Sequence, residues 1–397
     1  MISVEEARSR ILAGLKVVGA ETVSLGAAHR RVLAAPLIAR LTQPPADVSA
    51  MDGYAVRAED ARAGASLRVI GGAPAGHPFA GTLKPGQAVR LFTGSFMPPG
   101  ADTVLLQEDA TAASNTVTVH ADCQPGKHIR KRGQDFAAGD LLIPAGRRLS
   151  ARDIGLAAAA NHPWLAVHRR PRIAILSTGD EISMPGEPIG PGGIVSSNAH
   201  ALAALIGACG GAPIILPIAA DDRTAIAAGA DAARGADMLV TTGGASVGDH
   251  DLVQAGLAAR GLQLDFWKIA MRPGKPLMFG RLEAMPMLGL PGNPVSAFVC
   301  ALLFLRPAIE RLSGVTVAEL PFESARLGAP MKANDQREDY VRASLAQDHD
   351  GWIVSPFPVQ DSGMLRTLAL AEALIIRKPH APAADAGQAV QILRLDL

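Results

Sequence analysis

Cysteine is scarce. The chain has three in 397 residues, Cys123, Cys209 and Cys300, odd in number and far apart, which argues against a disulfide framework and against a paired-cysteine metal site. A reducing cytoplasm is the expected setting. An excess of either charge is also missing: 38 Lys and Arg stand against 37 Asp and Glu, a formal net charge of +1. With no long basic run, no nucleic-acid partner is expected. Long apolar runs do not occur either. The longest candidate, Val295 to Leu305, falls far short of the ~20 residues that span a bilayer, so no membrane segment is expected. The first residues, MISVEEARSRILAGL, carry Glu5 and Glu6 where a secretory signal would be basic. No internal repeat or low-complexity tract stands out beyond a richness in alanine.

The opening segment reads instead as a helix. Ser3 and Glu6 have capping-box spacing, and Val4, Ala7, Ile11, Leu12 and Leu15 recur at helical intervals. From Arg172 onward, short apolar runs (Ile173 to Leu176, Pro213 to Pro217, Met238 to Thr241, Leu277 to Phe279, Met287 to Leu290) alternate with helical stretches at Asn198 to Cys209 and Arg223 to Ala233. That alternation predicts a parallel sheet with helices on both faces. A chain of this length should divide into several domains, since single cores stop growing near ~250 to 300 residues. The pattern gives a multidomain α/β protein. A linker region with helical pieces at 1–45 and 140–170 brackets an inserted, mostly β module at 46–139; a central doubly wound α/β domain at 171–315 precedes a small C-terminal β barrel at 316–397.

The chemistry-bearing motifs fall at the ends of predicted strands, where ligands bind in such sheets. MLVTTGGASVGDHD, Met238 to Asp251, joins a strand to a glycine-dense turn. Gly243, Gly244 and Gly248 let backbone approach an anion, Thr241, Thr242 and Ser246 add hydroxyl donors, and a helix start follows. Asp249 and Asp251 beside such a turn make sense if a divalent cation or a basic group offsets them. Alone, the turn is equally an ordinary strand-to-helix loop. FWKIAMRPGKPLMFG adds Lys268, Arg272 and Lys275 within eight residues, and LGLPGNPVSAF sets Pro291, Gly292, Asn293 and Pro294 as a stiff turn opening an apolar helix.

Taken in order, LSTGDE (Leu176 to Glu181), TTGGASVGDHD, MRPGKP and LPGNPVSA resemble the molybdopterin molybdenumtransferases, the MoeA proteins and the related gephyrin E domain. SAMDGYAVR (Ser49 to Arg57), RLFTGSFMPPGADTVLLQED (Arg90 to Asp109) and IRKRGQDFAAGDLLIPAG (Ile129 to Gly146) match the same family. The resemblance covers nearly the whole chain and marks the central unit as a molybdopterin-binding domain.

It implies an enzyme that takes adenylylated molybdopterin and molybdate, releases AMP and leaves the molybdenum cofactor, with Mg²⁺ as cofactor. Glu181, Asp221 and Asp251 are implied at the metal. Lys268, Arg272 and Lys275 are the natural cations for the oxyanion, and the resemblance implies Lys268 and Arg272 near the reaction centre, although many relatives carry lysine where this chain has Arg272. Thr178, Gly179 and the glycine turn, with Pro291 to Pro294 and Ser362 of QDSGML, are implied to bind substrate. Asp52, Thr93 and Asp135 match functional positions that, in the family, reach the cleft of a second subunit, so a homodimer is expected. The adenylyltransferase that makes the substrate is a further candidate partner. Arg130, Lys131 and Arg132 read as solubilising, and His29, His77 and His162 as structural; His250, inside the turn, is a candidate ligand contact. Two other readings stand beside the transferase: a molybdopterin adenylyltransferase, which normally has no MDGYA and RGQD module, and a non-catalytic scaffold of the gephyrin kind.

Overall fold

The computed structural model describes residues 1–74, 76–243, 252–316 and 320–395. Its first helix, Val4–Ala13, starts where the capping pattern places it. Ser3 Oγ accepts the Glu6 N–H at 3.1 Å. Val4, Ala7 and Ile11 on its inner face share one core with Ile173, Ile175 and Leu288 of the central sheet, so this helix packs on the α/β domain.

The linker is less helical than expected. Helix Ala151–Ala159 is present, held by a reciprocal Ser150 and Asp153 capping box, but Ala20–Ser24 pairs antiparallel with Trp164–His168. The reason is visible in burial: Leu165 and Val167 point inward while Trp164 and Ala166 face out, a period of two that a helix cannot satisfy. The inserted module is a six-stranded sheet in the order Thr103–Leu106, Gly53–Val56, Gln87–Leu91, Ser66–Ala73, Thr116–Val119, Ala110–Ala113. Separate small clusters around Leu105 and Leu91 fill its two faces.

In the α/β domain the order is Ala212–Ile215, Arg172–Ser177, Met238–Thr242, Met285–Leu290, Met278–Leu282, Leu262–Trp267. The first four strands are parallel, as the alternation predicts. The last two are antiparallel. Only Glu283 and Ala284 separate Met278–Leu282 from Met285–Leu290, and Glu283 takes a left-handed φ of 55°; a two-residue connection makes a hairpin and leaves no room for a crossover helix. Helices Asn198–Ala208, Arg223–Ala232 and Leu252–Ala258 flank the sheet. Pro294 begins a further helical run, Pro294–Cys300, Ala301–Leu305 and Arg306–Leu312. Its middle turn widens to π geometry just before Pro307, which has no N–H to offer the preceding turn.

The C-terminal strands close on themselves. Glu338–Asp348 pairs with Gly351–Pro356, then Phe322–Leu327, Ala389–Arg394 and Ala373–Arg377 follow, and Ala373–Arg377 returns to Glu338–Asp348. This is the expected small barrel. Met271–Arg272 adds a short parallel strand to Glu338–Asp348, which fastens the barrel to the α/β domain. No helix of the described residues is long and apolar enough to cross a membrane.

Candidate active-site cleft

Strand register brings the three motif loops to one level. Ser177 stands opposite Thr242, and Thr242 opposite Leu290, so LSTGDE, TTGG and LPGNP leave the sheet side by side. Gly243 has φ 96°, and a Cβ there would lie 2.4 Å from the Thr178 carbonyl oxygen. Only glycine fits. Gly292 faces it closely enough that an added Cβ would sit 3.5 Å from Gly243 Cα. The floor between the loops is therefore bare backbone.

Asn198, at the start of helix Asn198–Ala208, ties this floor together. Its amide donates to Thr242 Oγ1 at 2.9 Å and to the Gly292 carbonyl at 2.7 Å, while Thr242 Oγ1 donates to the Pro291 carbonyl at 3.3 Å. Asn293 Nδ2 donates to Ser362 Oγ at 3.0 Å, and Val295 N–H to the Ser362 carbonyl at 3.1 Å. Ser362 thus ties the barrel side to the LPGNP turn. Its loop is held from beneath by Arg342, 2% exposed, whose guanidinium donates to the carbonyls of Asp361 at 2.9 Å and Met364 at 3.3 Å and to Gln360 Oε1 at 3.3 Å.

Together these loops surround a cavity of about 730 Å³. Thr242, Gly243, Asn198 and Asn293 give it a polar base, Glu181 borders it, and Ile182, Ile194 and Leu365 form an apolar wall. Such a mixture suits a ligand with a flat organic part and an anionic part. Thr178 and Thr241 hydroxyls are buried at the strand ends with no hydrogen-bond partner among the described residues.

The acids converge in part. Asp180 Oδ1 accepts the Asp221 N–H at 3.0 Å. Partial loss of water, then the neighbouring Asp180 and Glu181 carboxylates, push the Asp221 carboxyl above the usual carboxylate range. Asp180 was not singled out in the sequence, although it stands within LSTGDE. Asp251, with Gly244, Ser246, Gly248, Asp249 and His250, lies outside the described residues. Among the described residues the one trio of acids and histidines with donor atoms within 4.8 Å is Asp348, His349 and Asp350, at the exposed turn after Glu338–Asp348 and remote in sequence from every motif above. Glu181 and Asp221 do not complete such a trio with any described third acid.

The three cations separate into two environments. Lys268, at φ 78°, lays its ammonium 4.0 Å from the centroid of the Trp267 ring. Lys275 lies on the loop whose Gly274 packs on Cys300, and its carbonyl accepts the Ile269 and Leu277 N–H groups. Arg272 points the other way, into the barrel. Its Nε donates to Asp339 Oδ1 at 2.8 Å, a second nitrogen reaches Asp339 Oδ2, and Asn334 and Asp335 lie at 3.3 and 3.4 Å. Expected at the oxyanion, Arg272 instead has its fork taken up by a carboxylate.

Asp52 and Thr93 meet within the inserted module: the Asp52 carboxylate accepts both the Thr93 N–H at 2.7 Å and its hydroxyl at 2.8 Å, which holds its pKa down. Asp135 is exposed, its N–H donating to Gln43 O at 3.1 Å. Lys131 pairs with Asp47 at 2.8 Å, and the Arg132 N–H donates to the same carboxylate at 2.9 Å. None of these residues lines the sheet-edge cavity of their own chain.

Comparison with known proteins agrees over the full length. Residues 2–161 match the family model for the MoeA N-terminal region (domain I and II), 174–311 that for a probable molybdopterin binding domain, and 324–395 that for the MoeA C-terminal region (domain IV). A molybdopterin molybdenumtransferase of Nostoc sp. is 41% identical over 82% of this chain and 77% of its own. Molybdopterin molybdenumtransferase 2 of Mycobacterium tuberculosis is 36% identical, over 94% and 95%. A crystal structure of the molybdopterin biosynthesis moeA protein from Pyrococcus horikoshii OT3 superposes with a TM-score of 0.85 at 26% identity, covering 99% of both chains.

Proposed function

The chain belongs to the MoeA family of molybdopterin molybdenumtransferases, and we propose that it transfers molybdenum from molybdate to adenylylated molybdopterin with release of AMP. The observation that carries this reading is the Asn198 cross-link, which ties the TTGG and LPGNP loops together at the glycine floor of a cavity of about 730 Å³. The amides of that floor suit the phosphates, and the wall of Ile182, Ile194 and Leu365 suits the pterin. Glu181 borders the cavity, and Asp180 and Glu181 lie near enough to Asp221 to raise its carboxyl; with Asp251, Glu181 and Asp221 are the carboxylates that would hold Mg²⁺, which keeps several waters and uses few protein carboxylates. When bound, the ion would supply positive charge to the phosphate oxygens. Lys268 and Lys275, neither of which is tied to a carboxylate among the described residues, are the cations suited to molybdate.

The second copy of the chain is part of the proposal. This chain exposes 18814 Å² for a mass of 41.0 kDa, against roughly 14,700 Å² expected of a compact monomer of that mass. The excess reflects the chain's division into several modules; what supports a homodimer, in which Asp52, Thr93 and Asp135 would reach the partner's cleft, is that none of the three lines the cavity of its own chain. The adenylyltransferase reading has less support, because the inserted module and the barrel would be left without a task.

Incubation of the purified chain with adenylylated molybdopterin, Mg²⁺ and molybdate tests the assignment. AMP release that needs both molybdate and the divalent ion is expected. Pyrophosphate release from ATP and molybdopterin, with no molybdate-dependent AMP, would replace it with the adenylyltransferase activity.

A further inference from the structure

The seam between linker and α/β domain holds a second, smaller cavity of about 280 Å³, lined by Arg30, Arg31, Arg148, Arg169 and Arg170. Two of these are neutralised, Arg31 by Glu21 and Arg169 by Asp237. Among the described residues Arg30, Arg148 and Arg170 have no carboxylate partner. Backbone carbonyls account for only part of the cluster: Arg30 gives one long bond to the Ala208 carbonyl at a helix end, 3.3 Å, and Arg148 one to the Arg30 carbonyl, 3.4 Å. Each guanidinium has five N–H donors, so most are left over. Burial pushes the Arg148 guanidinium down from its ordinary value, with Arg30 and Arg306 adding to the effect against the pull of Glu310.

Ser313 supplies an independent sign. It follows helix Arg306–Leu312, is 4% exposed and lines the same cavity, yet its hydroxyl has no hydrogen-bond partner among the described residues. An unpaired buried hydroxyl is costly, and Arg148, partly buried, carries its charge with no carboxylate partner among the described residues while Arg30 and Arg170 are exposed; one ligand with several acceptor oxygens would answer both the hydroxyl and the cluster. We infer that this cavity is a binding site for a small phosphate-bearing anion, held by the Arg30 and Arg148 forks and the Ser313 hydroxyl. Planar guanidinium forks match phosphate oxygens in pairs, and the volume leaves space for a modest organic group. Bound there, the anion bridges the linker and the central domain.

Calorimetric titration of the full chain at low ionic strength, with inorganic phosphate and separately with ribose 5-phosphate, tests the site. Saturable binding is expected, weakened by about tenfold in Arg148→Gln, as for loss of a charge-assisted pair, weakened less in Ser313→Ala, and unchanged in Asn198→Ala, which alters the other cleft. Binding of inorganic phosphate alone identifies the free ion as ligand, and tighter binding of the sugar phosphate identifies an ester; either supports the site. Should Arg148→Gln fail to fold, Arg30→Gln and Ser313→Ala carry the test. Phosphate affinity unaltered in all folded cavity variants, or matched by chloride at equal ionic strength, overturns the inference.

Discussion

Arg272 and Asp339 meet as a two-pronged ion pair across the parallel bridge between MRPGKP and the first long barrel strand. The arginine is about half exposed but its partner carboxylate is largely covered, 13% exposed. Removal of the guanidinium therefore strands an acid that water only partly reaches. Arg272→Ala should lower the unfolding free energy by about 1–2 kcal/mol, read by urea denaturation. Lys268→Ala should change stability by no more than ~0.5 kcal/mol and weaken molybdate in a salt-sensitive manner. Equal losses of molybdate affinity in the two variants would mean that the fork leaves Asp339 when substrate arrives.

Asp221 gives a pH signature. Because its folded pKa is raised, the native chain holds a proton that the unfolded chain has already released, so stability falls as pH rises from the ordinary aspartate range through the raised value. Asp221→Asn should remove that slope and stabilise the chain at neutral pH by a few tenths of a kcal/mol, about the worth of an exposed charge contact. Turnover should drop by on the order of 100-fold. Thermal unfolding across pH 3 to 8 checks the first claim; a wild-type slope preserved in the variant would exclude Asp221 as its source.

Asn198 bridges two loops with one amide. Asn198→Ala should raise KM by about tenfold, equivalent to roughly one lost hydrogen bond, and Asn198→Asp should be worse, since a carboxylate has no hydrogen to give the Gly292 carbonyl. Steady-state kinetics with both variants would show the order. If Asp matches the wild type, the bridge is incidental to binding.

A cleft shared by two chains predicts rescue. Mixing Asp52→Ala with Asp221→Asn should restore up to about one active site in four, because only hybrid dimers contain an intact cleft. Subunit exchange proven by mass spectrometry without recovered activity would place Asp52 outside the mechanism.

Much of this architecture is written in local pattern. The glycine turn and the proline-stiffened turn announce where backbone must approach backbone, and Gly243 and Gly292 prove to face each other. Apolar runs located the strands, but hydrophobic periodicity reports burial and not chain direction, so the antiparallel edge at Leu262–Trp267 was hidden. Asn198 looked like any residue at a helix start; its partners lie 44 and 94 residues away. Arg342 had no sequence signal at all, because what it grips is mostly peptide carbonyl, which every residue carries. The direction of Arg272 was likewise decided by a barrel acid 67 residues distant.

The facing glycines have a thermodynamic corollary. Side chains that line a pocket must give up rotamers when a ligand seats, at about 0.5–1.5 kcal/mol for each flexible one. Between Gly243 and Gly292 there are no torsions to freeze. An anion that lands on that surface meets peptide dipoles already fixed by the sheet, and its affinity there is spared the entropy loss that a lysine-lined cradle would incur.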